Sequence, residues 1–393
     1  GGGGGGETPT VLVDFVHDEV ASSFLAYFPD QVSVHPGDTV VFRQEWTGEP
    51  HSVTMGTQVD EMMALARPFI ERFRAGDEPS EEELAPVDAV LDRLPWMMDD
   101  EGEIQQNGAQ PCYLDEGLPP EDPDTPCADE QQVQPAFTGR QSYYNSGFIP
   151  YQGPRGNQFR VPLADDIAPG TYSFYCNLHG PLQSGSITVV PADRPIPSAR
   201  EVAAEGRAQV DRMAQPLLAA LRTAQEQDVP AVEGEPVPKP LAGWFSDDPA
   251  AHATINEFVP RTLEARVGQP ITWNFVGGHT VSFDVPEYFS EFTIDEDGRV
   301  SASPLAFDPQ GLPEPPASEG ADHQEEVAEQ AAEPGEGEEA PPPRIDAGQW
   351  DGSGFLSSGV QFDGTFTVTF TQPGSYPYAC LIHPQMVGEV MVR

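Results

Sequence analysis

The feature that most constrains this chain is a set of blocks that occurs twice, in the same order, about two hundred residues apart. FPDQVSVHPGDTVVF (28–42) is matched by VPRTLEARVGQPITW (259–273), each two alternating stretches joined by a turn containing glycine. EPHSVTMG is matched by GGHTVSFD, each placing a histidine and a hydroxyl residue after a turn. NSGFI (145–149) is set against GSGFL (352–356), and PGTYSFYCNLH (169–179) against PGSYPYACLIH (373–383). In the last pair Pro, Gly, Tyr, Cys and His coincide. Such ordered correspondence marks an internal duplication. Alternation with a period of two, in short runs bounded by Gly and Pro, reads as strands. The expectation is a mainly β chain of two Greek-key β-sandwich domains.

The repeats are interrupted. A first domain over 7–192 would carry an insertion over about 57–140. In it, VDEMMALARPFIERF and SEEELAPVDAVLDRLPWMM place apolar residues at helical spacing, so two helices should pack on the first domain. Their methionines suit core filling better than metal binding. A linker over 193–240 contains a helix over 198–227 that starts at a serine cap and joins the halves. The second domain would span 241–393, with an insertion over about 309–343 made almost wholly of Pro, Glu, Gly and Ala. That tract is expected to stay disordered.

The chain carries 64 Asp and Glu against 19 Lys and Arg, a net charge of −45. Such a surface repels nucleic acid and anionic headgroups, so neither is an expected partner. It suits a solvated acidic exterior, adaptation to salt, or docking to a basic partner. No apolar run is long enough to span a bilayer. The opening GGGGGGETPT has no basic or apolar signal segment, so any such peptide would already have been removed. The hexaglycine reads equally as a flexible tether to a membrane anchor and as an arbitrary starting point. Cys112 and Cys127 bracket YLDEGLPPEDPDTP, an acidic, Pro-rich loop with no core of its own. A disulfide closing it implies an oxidising compartment, against the alternative of two surface thiols. The expected location is therefore extracytoplasmic: periplasmic or at the cell surface, with a lipid anchor as one form.

Near the C-terminus, Cys380, His383 and Met386 form C-x2-H-x2-M between two strands. His279, in NFVGGHTVSF, is the natural fourth ligand. One thiolate, two imidazoles and a weak axial thioether make the donor set of an electron-transfer copper site. Thiolate favours copper(I), imidazole serves either oxidation state, and a rigid loop lets neither impose its own geometry.

These residues give the chain its resemblance to the cupredoxin family, the type 1 blue copper proteins such as plastocyanin, amicyanin, halocyanin and azurin. The ligand loop is most similar to that of amicyanin. The resemblance covers both halves and excludes the helical insertion, the linker helix and the acidic tract. It implies two copper ions as cofactors, one in each domain. In the first half His51, Cys176 and His179 take the corresponding positions. The loop CNLHGPLQSG is one residue longer before Gly185, and aligning Gly185 with Gly388 puts Gln183 where Met386 stands. Gln183 would then be axial, as in stellacyanin, unless it faces solvent and Leu182 caps a three-coordinate site. Ser52 and Thr280 occupy the places where cupredoxins tie their two ligand loops together, or are simply hydroxyl residues suited to a strand.

A two-domain plan also occurs in copper oxidases and reductases. Those enzymes need His-x-His pairs, or a histidine directly before the cysteine; here that place holds Tyr175 and Ala379, and no His-x-His occurs. The C-x3-C of a dinuclear copper site is missing too. The expectation is a carrier that is not an enzyme, exchanging electrons with redox partner proteins. Copper storage or delivery is the alternative, with a two-domain oxidase or reductase behind it.

Overall fold

The computed structural model describes residues 8–15, 17, 19–20, 22–44, 48–77, 79–99, 102–149, 157–226, 240–245, 254–286, 290–313, 342–383 and 385–393. The hexaglycine and the acidic tract from 314 to 341 lie outside the described residues. The chain divides into two compact units. The first is Gly1–Thr223 with Phe245–Asn256 and Ser290–Ser303; the second is Ala224–Trp244, Glu257–Phe289 and Pro304–Arg393.

The elements begin with β1 (Thr10–Val13), β2 (Ser22–Ser23), β3 (Tyr27–Phe28), β4 (Gln31–Val34), β5 (Thr39–Gln44) and β6 (Thr54–Met55). The insertion brings α1 (Thr57–Arg74), α2 (Glu81–Leu91), α3 (Gln106–Ala109), β7 (Cys112–Leu114) and α4 (Asp129–Gln132). Then follow β8 (Tyr143–Asn145), β9 (Gln158–Pro162), β10 (Gly170–Cys176), β11 (Gly180–Val189) and α5 (Ala199–Glu226). Next come β12 (Leu241–Phe245), β13 (Thr254–Val259), β14 (Thr262–Ala265), β15 (Pro270–Phe275), β16 (Ser282–Phe283), β17 (Phe292–Ile294) and β18 (Val300–Ala302). The chain ends with α6 (Pro304–Phe307), β19 (Arg344–Trp350), β20 (Leu356–Ser357), β21 (Thr365–Phe370), β22 (Gly374–Ala379) and β23 (Val387–Val392).

The fold is mainly β, and each unit is a sandwich. In the first unit one sheet runs β3-β1-β5-β9 and the other β4-β11-β10-β6-β8-β7. In the second, β19-β21-β15-β12 faces β14-β23-β22-β16-β20. The duplication reappears in the pairing: β1 lies parallel to β5 as β12 does to β15, and β4 parallel to β11 as β14 does to β23. Alternate residues of each strand point between the sheets. Val11, Val13, Val40 and Phe42 from one sheet meet Val32, Val34, Phe174 and Ile187 from the other. Trp273, Phe283, Phe366, Tyr378 and Val390 fill the second sandwich in the same way.

The insertion builds a core of its own. Val59, Met62, Met63, Ala66 and Ile70 lie on one face of α1 and meet Val87 and Val90 of α2, at the spacing an amphipathic helix requires. Cys112 and Cys127 are joined in a disulfide, with their Cα atoms 5.7 Å apart. The bridge does not close a loop without a core. Both cysteines are buried in this third cluster, beside Tyr143 and Tyr175.

The third block pair needs correcting. Ser146 Oγ accepts the N–H of Val53 and donates to Gly147 O; in the second unit Ser358 does the same with Val281 and Gly359. The equivalent of NSGFI is therefore 357–361, SSGVQ, and not GSGFL at 352–356. Two Ser-Gly pairs stand five residues apart there. Sequence similarity favoured the one followed by Phe, whereas strand pairing selects the other.

Helix α5 begins with a reciprocal cap, Ser198 N–H to Glu201 and Glu201 N–H to Ser198 Oγ. It packs on the first sandwich: Val202 enters the core, and Gln209 exchanges two hydrogen bonds with Asp30. Two later segments also complete the first unit. Thr254 and Ile255 pair with Ser23 and Ser22. Gln106 clamps Val300 by donating to its carbonyl and accepting its N–H. Among the described residues no helix is long and apolar enough to cross a membrane.

Candidate metal centres

Each sandwich brings two histidines and one cysteine to one end. Strand β10 delivers Cys176 as its last residue, and the turn to β11 carries His179. In the second unit Cys380 follows β22, and the loop to β23 carries His383 and Met386. The upstream histidines are fixed by two-way backbone bridges, His51 with Ile149 and His279 with Gln361. His51, Cys176 and His179 have ligand atoms within 4.8 Å of one another, as have His279, Cys380 and His383.

The two centres share much geometry. His51 and His179 rings lie 4.9 Å apart, and His279 and His383 rings 4.8 Å. Each sulfur accepts a backbone N–H 3.4 Å away, Ser52 to Cys176 and Thr280 to Cys380. Cys176 Sγ is 3.9 Å from His51 Nδ1 and 3.7 Å from His179 Nδ1. Cys380 Sγ is 3.6 Å from His383 Nδ1, which in turn is 3.0 Å from His279 Nδ1. Ser52 Oγ accepts the N–H of Asn177, and Thr280 Oγ1 that of Leu381. Each hydroxyl thus spans the two loops that bear the histidines.

Burial opposes a thiolate at Cys176, but hydrogen bonds from His179 and His51, with their charge, outweigh it and hold the thiol well below its usual range. The same balance, with His279 and His383, acts on Cys380. Burial likewise disfavours the His51 cation; Asp14 and Cys176 override that and push it up to about 10. Both cysteines are therefore poised as anions that a cation can satisfy.

The fourth positions differ. Gln183 is fully buried, with Oε1 2.7 Å from His179 Nδ1, and its Nε2 has no hydrogen-bond partner among the described residues. The amide thus turns its oxygen toward the cluster, while Leu182 packs against the core of the insertion. Met386 is fully buried in the cluster that contains Cys380, and its backbone closes the loop by accepting the Cys380 N–H. A thiolate, two imidazole nitrogens and a thioether or amide oxygen form a donor set that fits copper.

The sequence singled out all four candidate ligands of each centre, with Ser52 and Thr280, but not the rest of the surroundings. Asn177 donates to Pro95 O and Gly108 O, and its own carbonyl accepts the Met97 N–H, so the insertion braces the first ligand loop. Gly108 must be glycine, because a Cβ there would fall 2.0 Å from Trp96 O. Two carboxylates also stand behind the first centre: Asp14 Oδ2 is 3.3 Å from His51 Nε2, and Glu49 Oε2 is 3.5 Å from His179 Nε2. Nothing in VLVDF or TGEPHS as strings points to a site; only folding brings them to the imidazoles.

No protein-family model matches the chain, and no curated protein matches it. Partial likenesses exist among solved structures. One is a copper(I) form of an amicyanin mutant, 14% identical over 42% of this chain and 88% of that chain, with a TM-score of 0.19. Another is the reduced auracyanin of Roseiflexus castenholzii, 18% identical over 48% and 100%, with a TM-score of 0.21. A third is a purple cupredoxin from Nitrosopumilus maritimus, 20% identical over 35% and 83%, with a TM-score of 0.15.

Proposed function

We propose that the chain is an electron-transfer protein of the cupredoxin kind, with a type 1 copper site in each unit. His51, Cys176, His179 and Gln183 would hold the first ion, and His279, Cys380, His383 and Met386 the second. The observation that carries this reading is a recurrence: twice in one chain, a cysteine and two histidines gather their ligand atoms within 4.8 Å. A bound copper ion would supply the one-electron couple. The chain supplies a braced donor set that need not rearrange when the charge changes.

Burial supports a carrier over storage or delivery, since exchangeable sites keep their ligands open. Tyr175 and Ala379 before the cysteines, and the lack of His-x-His, support a protein that is not an enzyme. The Cys112–Cys127 bridge supports an extracytoplasmic location. A charge of −45 suits a redox partner with a cationic face and no nucleic acid.

Copper-loaded protein should bind two ions per chain and absorb intensely in the visible through thiolate-to-copper(II) charge transfer. Cys176→Ser and Cys380→Ser should each remove one contribution. Colour that survives the loss of both thiolates would sink the assignment. Ready surrender of copper(I) to a competing chelator would favour delivery instead.

A further inference from the structure

Asp14 directly follows β1, and its side chain is fully buried. Its Oδ1 accepts the N–H groups of Phe15 and Phe24 at 2.8 and 2.9 Å, which pins the carboxylate. Its Oδ2 is left 3.3 Å from His51 Nε2. The register of the sheets identifies its counterpart. Val13 lies opposite Gln44, the last residue of β5, and Ala242 opposite Phe275, the last residue of β15. The next residue is Asp14 in the first unit and Gly243 in the second.

Both positions adopt the left-handed backbone, with φ of 56° at Asp14 and 88° at Gly243. Glycine takes that conformation freely, whereas aspartate does so against steric resistance. The second centre leaves no room for a side chain here, since a Cβ on Gly243 would come 2.2 Å from His279 Nε2. The same contrast holds two residues before each upstream histidine: Glu49 in the first unit, Gly277 in the second. At these two places the first unit has carboxylates and the second has glycines.

We propose that Asp14 is a positioning residue of the first centre. Its carboxylate binds the Nε2–H of His51, turns the Nδ1 lone pair toward Cys176, and adds a buried negative charge where the second unit has Gly243. The inference rests on the metal-site reading above. A carboxylate can only accept, so it fixes the tautomer in which Nδ1 is free to bind a cation. Its negative charge stabilises the more positive ion, so Asp14 should lower the potential of the first site.

Two variants separate these effects. Asp14→Asn keeps the shape, but Phe15 and Phe24 hold its oxygen, so its amide donates to Nε2 and favours the wrong tautomer. Copper affinity of the first site should then fall by roughly tenfold to a hundredfold. Asp14→Gly copies the second unit and removes the charge. The first-site potential should rise, shifting electron distribution toward that site about tenfold, with the second-site potential unmoved as an internal control. On metal-free protein above pH 10, where the His51 ring is neutral, imidazole 15N shifts should place its proton on Nε2 in the wild type and move it in Asp14→Asn. Wild-type copper binding with unchanged affinity, potential and tautomer in both variants overturns the inference. Failure of the wild type to bind copper at His51, Cys176 and His179 overturns the reading beneath it instead.

Discussion

At the scale of single residues, the two centres differ by a few side chains whose effects have a computable sign. Gln183 turns a carbonyl oxygen toward His179 Nδ1 where the second loop has a thioether. Oxygen is the harder donor and favours the oxidised ion, so Gln183→Met should raise the first potential. A rise of about 60 mV would be a tenfold change for one electron. Voltammetry of copper-loaded protein checks this, and a potential unmoved by Gln183→Met would remove Gln183 from the site. The ligands were legible because C-x2-H with an upstream His-Thr/Ser-Val occurs twice and in order. Asp14 and Glu49 were not, because they reach the imidazoles through the parallel β1–β5 pairing and the turn after it, which no local pattern encodes. Gly243 was equally silent; its meaning comes from a distance of 2.2 Å that a Cβ would have to Nε2.

At the scale of elements, the insertion is the best test of how side-chain pattern becomes structure. Helices α1 and α2 were readable from their apolar spacing, since a helix can bury only one face. The third pair of blocks was misaligned because short strands carry too few residues to fix a register by similarity. The disulfide was expected for a reason the fold reverses. It does not restrain an unsupported loop; it is packed among Met62, Val90 and Tyr143. Replacing both Cys112 and Cys127 by alanine should cost about 3 kcal/mol through loop entropy alone, for a closed loop of this length. Urea unfolding of the copper-free variant measures it. A midpoint equal to that of the wild type would mean that packing, and not the bridge, secures the segment. Because Asn177 hangs on Pro95 and Gly108, the same variant should loosen copper in the first site more than in the second.

At the scale of the whole molecule, the duplication predicts two similar sandwiches, and the pairing of β1 with β5 and of β12 with β15 agrees. What the sequence hid is that the units are not two successive stretches. Phe245–Asn256 and Ser290–Ser303 belong to the first unit, although they lie beyond the linker helix. They contribute a strand to Ser22–Ser23 and the backbone that Gln106 clamps. A fragment ending at residue 240 should therefore lose roughly 1 kcal/mol for each such hydrogen bond, and a fragment ending at 303 should regain it. Hydrogen exchange at Ser22 and Ser23 distinguishes the two, and equal protection in both would show that these contacts contribute nothing. The interleaving also bears on biogenesis. A chain made from its N-terminus cannot finish its first unit until residue 303 has been synthesised, so the two units should mature nearly together. Until then Ser22–Ser23, which lies outside both sheets of that sandwich, stays an unpaired strand edge, the kind of surface that chaperones guard.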